Sequence, residues 1–151
     1  MNTRDQHIVR ADSEDSLDLG VARMRLLAHS GVTSEGFSLA EFRGGEGPWT
    51  VPHVHNHTEE SFFILQGGFT FTVEGNTFEV APGDYVHVPR GSPHVFGGHV
   101  GGGTMLVLWV PGGLEAMFLE LAKLPAGSIR DPQIRANISA RYDSVPVEPQ
   151  S

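Results

Sequence analysis

The sequence predicts an all-β domain, either a sandwich or a barrel, followed by one or two helices. Two observations favour this class. Short segments of strand character recur at regular spacing, and the 19 glycines and 10 prolines among 151 residues supply many tight turns between them. Near the C-terminus the spacing of the apolar residues changes to that of a helix. A chain of this length can bury one core without disulfides, and we expect a single domain.

Alternation of aromatic and polar residues gives the clearest strand signal, as in the segment FTFTV at 69–73. The pairs Gly67-Gly68 and Gly75-Asn76 predict two hairpin turns. We expect the glycine-rich run 97–103 to be flexible and the apolar segment 104–110 to be a strand buried on both faces. The predicted strands cover residues 23–29, 37–42, 49–55, 60–66, 69–73, 77–80, 85–88, 93–96 and 104–110.

After Pro111, an apolar stripe at i, i+3, i+4 and i+7 predicts a helix, and it is formed by Leu114, Met117, Phe118 and Leu121. Asp131 followed by Pro132 is typical of an N-cap and an N1 proline, which predicts a second short helix to about Tyr142. The tail 145–151 contains two prolines, and we expect it to be frayed.

Three segments follow from this pattern. We expect an acidic N-terminal arm at 1–20, a β-barrel or sandwich at 21–112, and a C-terminal helical appendage with its tail at 113–151. The arm is weakly patterned, so it is either disordered or an edge strand that docks on a partner.

Charge and composition restrict the classes of molecule that the protein is expected to bind. The net charge of −8 and the lack of any basic run argue against nucleic acid and anionic membranes. The chain has no cysteine, so any bound metal needs nitrogen and oxygen ligands. The polar N-terminus has no signal-peptide core and no segment is long enough for a membrane span, so we expect a cytoplasmic protein.

A candidate metal site lies in the segment 47–67 (GPWTVPHVHNHTEESFFILQG). His53 and His55 are two residues apart, so on a strand both imidazoles project from one face. Glu60 follows across a turn, and His94 on a returning strand could supply a third imidazole. Four such ligands leave one or two positions open for substrate, water or dioxygen, which suits catalysis better than a closed structural site.

The spacing of these residues resembles the two motifs of the cupin superfamily, and the resemblance covers about 37–110. The first motif corresponds to Gly47-x5-His53-x-His55-x4-Glu60-x6-Gly67, and the second to Gly83-x5-Pro89-x-Gly91-x2-His94. The order of the motifs and the short stretch between them resemble small single-domain bacterial cupins, and the predicted helix after Pro111 also resembles cupins of the quercetinase-like and polyketide-cyclase-like groups. One departure is Gly98, where the family usually has an asparagine that is not a metal ligand.

The resemblance implies a cupin-type double-stranded β-helix, which is a conical jelly-roll barrel with a metal at its mouth. By position the ligands would be His53, His55, Glu60 and His94. They would hold one divalent transition metal per chain, and Fe, Mn, Ni, Co and Zn all remain open.

Strand parity predicts the neighbours of the metal. If Glu60 points inward, Phe62 and Ile64 do too, and Phe96 follows His94; we expect these three apolar residues to line a substrate pocket. Phe63 and Leu65 would face outward, and we expect a homodimer. Three other side chains nearby are weaker candidates for metal ligands. His57 is expected on a turn outside the site, and His87 is expected to be structural. Glu59 is an alternative to Glu60 as the carboxylate ligand.

The leading functional hypothesis is a metal-dependent dioxygenase that resembles quercetinases and acts on a small aromatic or enolisable substrate. Glu60 would then be both a ligand and the base that accepts a substrate proton. Two alternatives remain open: a cyclase, isomerase or lyase that uses the metal as a Lewis acid, and a small-molecule-binding cupin without turnover. Arg43 and Arg90 are the nearest basic residues by sequence, and either could orient one acidic group.

Overall fold

The computed structural model describes residues 6–13 and 15–149. Its strands are β1 Leu17–Asp18, β2 Ala22–Ala28, β3 Ser38–Gly44, β4 Gly47–Pro48, β5 His53–Val54, β6 Glu59–Val73, β7 Asn76–Val80, β8 Tyr85–Val88, β9 His94–Val110 and β10 Val145–Pro146. Its helices are α1 Glu115–Leu121, α2 Ala126–Ile129 and α3 Pro132–Ser139.

Two long strands organise the barrel. β6 and β9 pair antiparallel along nearly their whole length, from Glu59 opposite Val110 to Val73 opposite His94. The other edge of β9 pairs with β3, β4 and β5, while β6 also pairs with β7 and β8. The predicted class, an all-β domain followed by C-terminal helices, is confirmed.

The core fills the barrel from the inner faces of β6 and β9. Phe62 and Ile64 are buried at even positions of β6, and Phe69 and Phe71 are buried at odd positions. The parity changes because the pairing with β9 shifts register on both sides of Gln66 and Gly67. Apolar side chains therefore remain inside on both halves of a strand that bends around the core.

The Gly67-Gly68 pair is thus a bulge within one strand, and the predicted hairpin at this point is wrong. Gly67 has a φ of 70°, and a Cβ on it would lie 2.0 Å from the carbonyl oxygen of Gly102. Only glycine tolerates both conditions. A pair of glycines is compatible both with a tight turn and with a close approach of two strands, so the sequence alone could not distinguish these two structures.

The predicted flexible run 97–103 is also wrong, because it lies inside β9. A Cβ on Gly102 would lie 2.0 Å from the oxygen of Gly44, so these glycines permit close approach of neighbouring strands. In 104–110 burial alternates from Met105 onward instead of covering both faces. Gly98, the departure from the family pattern, has no room for a side chain: its Cβ would lie 2.4 Å from the oxygen of Gly45.

Other boundaries moved by smaller amounts. The hairpin between β6 and β7 turns at Glu74 and Gly75, one residue before the predicted pair, and both residues have positive φ. The predicted strand 49–55 is mostly irregular, with only β5 retained at its end.

The C-terminal appendage closes over one end of the barrel. The predicted apolar stripe lies on α1 and its preceding residue, and Phe118 stacks on Trp109 of the barrel. The Asp131 side chain accepts hydrogen bonds from the backbone N–H groups of Gln133 and Ile134, which confirms the predicted cap of α3. The short helix α2 was not predicted.

The tail prediction is wrong at Val145 and Pro146, because β10 pairs with Val54 and His53 of β5. At the other end of the chain, Leu17 and Asp18 pair with β2, and Leu19 is buried. The proposed segment boundaries at residues 20 and 112 stay predictions. Within the described residues, each helix is too short or too polar to cross a membrane.

Candidate metal centre

Four side chains predicted from the sequence meet at one point inside the barrel. Nitrogen atoms of His53, His55 and His94 and a carboxylate oxygen of Glu60 all lie within 4.8 Å of one another, and all four residues are buried. His53 on β5 is directly opposite His94 on β9. Glu60 reaches the same point from β6, where it pairs with Trp109. Two strands adjacent in sequence, β5 and β6, and the distant strand β9 thus build the cluster.

Each imidazole is oriented by a backbone carbonyl. Nδ1 of His53 donates to Val51 O at 2.7 Å, and Nδ1 of His94 donates to Ser92 O at 2.9 Å. Nδ1 of His55 donates to Asp143 O at 2.5 Å. Because a carbonyl only accepts, these contacts place the proton on Nδ1 and leave the lone pair of Nε2 free in each neutral ring.

The free Nε2 atoms face an acceptor. Oε1 of Glu60 lies 3.0 Å from Nε2 of His94 and 3.4 Å from Nε2 of His55, while Oε2 accepts a hydrogen bond from Trp109 Nε1 at 2.5 Å. His55 Nε2 is buried without a hydrogen-bond partner. Lone pairs that converge on a carboxylate need a cation between them, so the donor set fits a divalent transition metal.

Burial and neighbouring charges act in opposite directions within the cluster. Burial, with the nearby His94 and His55, lowers the pKa of His53 to about 3, so this ring is neutral at pH 7. Burial alone would raise the pKa of Glu60, but His55 and His94 outweigh it and hold the pKa well below its ordinary value. Burial likewise lowers the pKa of His55, yet the charge of Glu60 outweighs it, and the net pKa is raised.

Asp143 ties the appendage to the cluster. Its carbonyl receives the His55 hydrogen bond, and its carboxylate accepts from the backbone N–H groups of Asn56 and His57 and from the Thr58 hydroxyl at 2.7–2.9 Å. The loop that carries His55 is therefore fixed from the C-terminal end of the chain.

A cavity of about 240 Å³ lies beside the cluster, and His53, His55 and Glu60 form part of its wall. Phe62 and Phe96 line it, and their role in binding a substrate stays a prediction. Ile64 does not line it, which corrects the predicted lining: this side chain is fully buried in the barrel core. The remaining wall is mostly apolar and comes from the barrel, from residues 19–22 and from the appendage.

Other candidates lie outside the cavity. His57 is exposed and contacts Asp143 only through its backbone N–H, and Glu59 faces His87 and Arg90 at the surface. Arg90 donates to His57 O, so it is not available to the cavity. Arg43 binds Thr104 elsewhere on the barrel. The basic residues of the cavity are instead Arg130 and Arg135 of the appendage.

Comparison with known proteins agrees with this architecture. The sequence model of the cupin domain matches residues 39–111. Quercetin 2,3-dioxygenase of Bacillus subtilis (strain 168) is 28% identical over 123 residues, which is 82% of this chain and 36% of that protein. The chain therefore spans little more than a third of this relative.

Solved structures match the fold at low identity. An RmlC-like cupin from Shewanella frigidimarina superposes with a TM-score of 0.63 at 18% identity, covering 74% of this chain and 96% of that one. Pac13, a nucleoside dehydratase from Streptomyces, superposes with a TM-score of 0.61 at 8% identity, covering 74% and 88%. Because residues 39–111 match the cupin domain and the fold is shared, the chain belongs to the cupin superfamily.

Sequence reasoning missed three contributors to the site. Trp109 was read only as part of a buried strand, Asp143 lies in a segment without a motif, and Arg135 lies on a helix treated as an appendage. For Trp109 a signal existed, since a buried tryptophan needs a partner for its N–H and an inward carboxylate can provide it.

Proposed function

We propose that this chain is a metal-dependent enzyme that acts on a small aromatic or enolisable substrate. More specifically, we propose a dioxygenase similar to quercetin 2,3-dioxygenase. One observation carries the proposal: three imidazoles and a carboxylate converge beside an apolar cavity. A closed structural site would not need such a cavity.

The bound metal would act as a Lewis acid for an oxygen of the substrate and, if it is Fe, Mn, Ni or Co, would also support reaction with dioxygen. The chain itself orients and shields the substrate. Phe62 and Phe96 provide an apolar wall that keeps water away, and His53, His55 and His94 keep their lone pairs directed at one point.

Glu60 is proposed as a ligand and as the base that accepts a substrate hydroxyl proton. Its low pKa supports the ligand role, because the carboxylate is ionised across the physiological range. The hydrogen bond from Trp109 to Oε2 leaves Oε1 directed at the cluster.

A non-redox cyclase, isomerase or lyase is the second candidate. The donor set itself favours it as much as oxidation, because three imidazoles and one carboxylate also suit Zn, which has no redox chemistry. The similarity of fold to a nucleoside dehydratase is consistent with this alternative.

Oxygen consumption tests the proposal. We expect protein reconstituted with Fe, Mn, Ni or Co to consume oxygen with flavonols or other phenolic enediols, and Glu60→Gln to reduce the rate more than it reduces metal content. His57→Ala is the control and should keep full activity. If product forms without oxygen uptake, and also forms when the protein is loaded with Zn, the non-redox alternative is favoured. If the substrate binds but is not converted, the protein is a binding protein.

A further inference from the structure

One face of α3 is turned toward the cavity. Pro132, Arg135, Ala136 and Ser139 all line it, and their spacing of i, i+3, i+4 and i+7 is that of a single helical stripe. Such a stripe is normally apolar. Here it carries one cation among three short side chains, which leave space beside the guanidinium.

Arg135 has no protein partner in the described chain. It is half-buried, yet within residues 6–13 and 15–149 its guanidinium makes no hydrogen bond and no ion pair. Burial lowers its pKa from the ordinary value. The guanidinium is partly desolvated at the cavity wall and has no protein anion beside it among the described residues, so it is free to pair with an anionic group of a ligand.

The charges of the cavity point the same way. Among the residues that the structure describes, Glu60 is the one acidic side chain in its wall, and it is already engaged by Trp109 and the histidines. Arg130 and Arg135 add two positive charges, and a bound divalent ion would add more. The chain as a whole has a net charge of −8, so the cavity is a local positive region in an acidic protein.

We propose that the substrate is a carboxylic acid with an apolar or aromatic body, whose carboxylate binds Arg135. The body would pack against Phe62 and Phe96, and an oxygen substituent at the far end would reach the histidine cluster. The contact between the oxygen substituent and the histidine cluster rests on the proposed function. The contact between the carboxylate and Arg135 does not depend on it.

A carboxylate fits better than a phosphate. A guanidinium matches the two carboxylate oxygens with two parallel hydrogen bonds. A phosphate would need several further donors, and in the described part of the chain the wall offers, besides Arg135 and the cluster, one further charged side chain, Arg130, and the hydroxyl groups of Thr50, Ser139 and Ser144.

Binding of benzoate and of its neutral isostere benzamide tests the proposal. Both tryptophans of the chain line the cavity, so their fluorescence reports occupancy. The titration is run on zinc-loaded and on metal-free full-length protein. We expect the wild type to bind benzoate at least about tenfold more tightly than benzamide, because only benzoate can form a charge-assisted hydrogen bond with Arg135. Arg135→Gln should remove this preference and leave benzamide affinity unchanged, and Arg135→Lys should retain part of it.

Lys123→Gln is the matched control, because it removes one exposed positive charge of the appendage outside the cavity. It should leave the preference intact. Equal affinities in the wild type, a preference that survives Arg135→Gln, or an equal loss of benzamide binding in both Arg135 variants would overturn the proposal. Failure of the metal proposal would look different: no metal would bind, while metal-free protein would keep the preference for benzoate.

Discussion

Glu60 is held by two kinds of partner at once. One carboxylate oxygen accepts the indole N–H of Trp109, and the other faces imidazole nitrogens of His94 and His55. The tryptophan thereby fixes the rotation of the carboxylate and decides which oxygen is presented to the cluster. Such supporting contacts commonly account for a substantial part of metal affinity.

Trp109→Phe tests this role. The phenyl ring retains most of the packing, but Oε2 of Glu60 loses its donor, so we expect metal affinity to fall about tenfold to a hundredfold. Trp49→Phe is the control, because the Trp49 indole donates to Gly45 O and not to the cluster. Metal titration of both variants measures the metal affinity. Equal affinities in the two variants would show that Trp109 contributes only packing and does not position Glu60.

The elements of the appendage contact the barrel through two carboxylates, of which that of Glu115 is buried and that of Asp143 is partly exposed. Glu115 of α1 accepts hydrogen bonds from the Ser38 hydroxyl and from the backbone N–H groups of Ser30 and Gly113. Asp143, after α3, holds the loop that carries His55. The C-terminal helices are therefore part of the support for the site.

The stability provided by Glu115 should depend on pH. Burial raises its pKa, but the bonds from Ser38 and Ser30 outweigh burial and bring the pKa below its ordinary value of 4.5. The stabilisation is thus complete above 4.5 and is lost as the pH falls through the lowered native pKa. We expect Glu115→Gln to reduce the free energy of unfolding by about 1–3 kcal/mol at pH 7, and by progressively less below pH 4.5.

Urea unfolding of metal-free protein across this range measures the effect. Glu46→Gln serves as control, since Glu46 is exposed and makes no side-chain hydrogen bond in the described chain. A deficit for Glu115→Gln that stays constant down to pH 3 would contradict the account.

Asp143→Ala should loosen the loop 55–58 and lower metal affinity by about tenfold. Asp84→Ala removes a comparable turn contact, with Ala81 N–H, that lies away from the cluster. We expect both variants to lose stability in thermal unfolding, with the larger loss for Asp143→Ala because its carboxylate accepts three hydrogen bonds and that of Asp84 accepts one. Only Asp143→Ala should bind metal more weakly. A parallel loss of metal affinity in both would mean that the effect is general destabilisation.

The elements differ in how far the sequence predicts them. Parity placed Phe62 inward correctly because it depends only on strand period, and Asp131 marked its helix because a cap is a local signal. The bulge at Gly67 and the continuity of β9 depend on which strands approach closely, and that is set by long-range pairing. Arg135 was out of reach for the same reason, since nothing local shows that α3 turns one face into the cavity.

At the scale of the whole molecule, an apolar patch on the outside of the barrel supports the proposed homodimer. Phe63 and Tyr85 are paired on β6 and β8 and expose 42% and 61% of their surface, and Leu65 exposes 37%. A contiguous apolar patch is typical of an interface. The partner and the interface remain proposals.

Sedimentation equilibrium tests the dimer. We expect a mass of about twice the 16.3 kDa chain for the wild type and of one chain for Phe63→Asp, because a buried unpaired carboxylate disfavours association. Val100→Asp is the control, since Val100 is 83% exposed and lies outside the patch. A monomeric wild type, or a dimeric Phe63→Asp variant, would exclude this interface.

The central claim is that the four buried ligands hold one metal ion, and elemental analysis tests it most directly. After reconstitution, we predict about one transition-metal ion per chain in the wild type and in His57→Ala, and almost none in His55→Ala and His94→Ala. Wild-type protein that binds no metal, or His55→Ala and His94→Ala variants that keep full occupancy, would contradict the account.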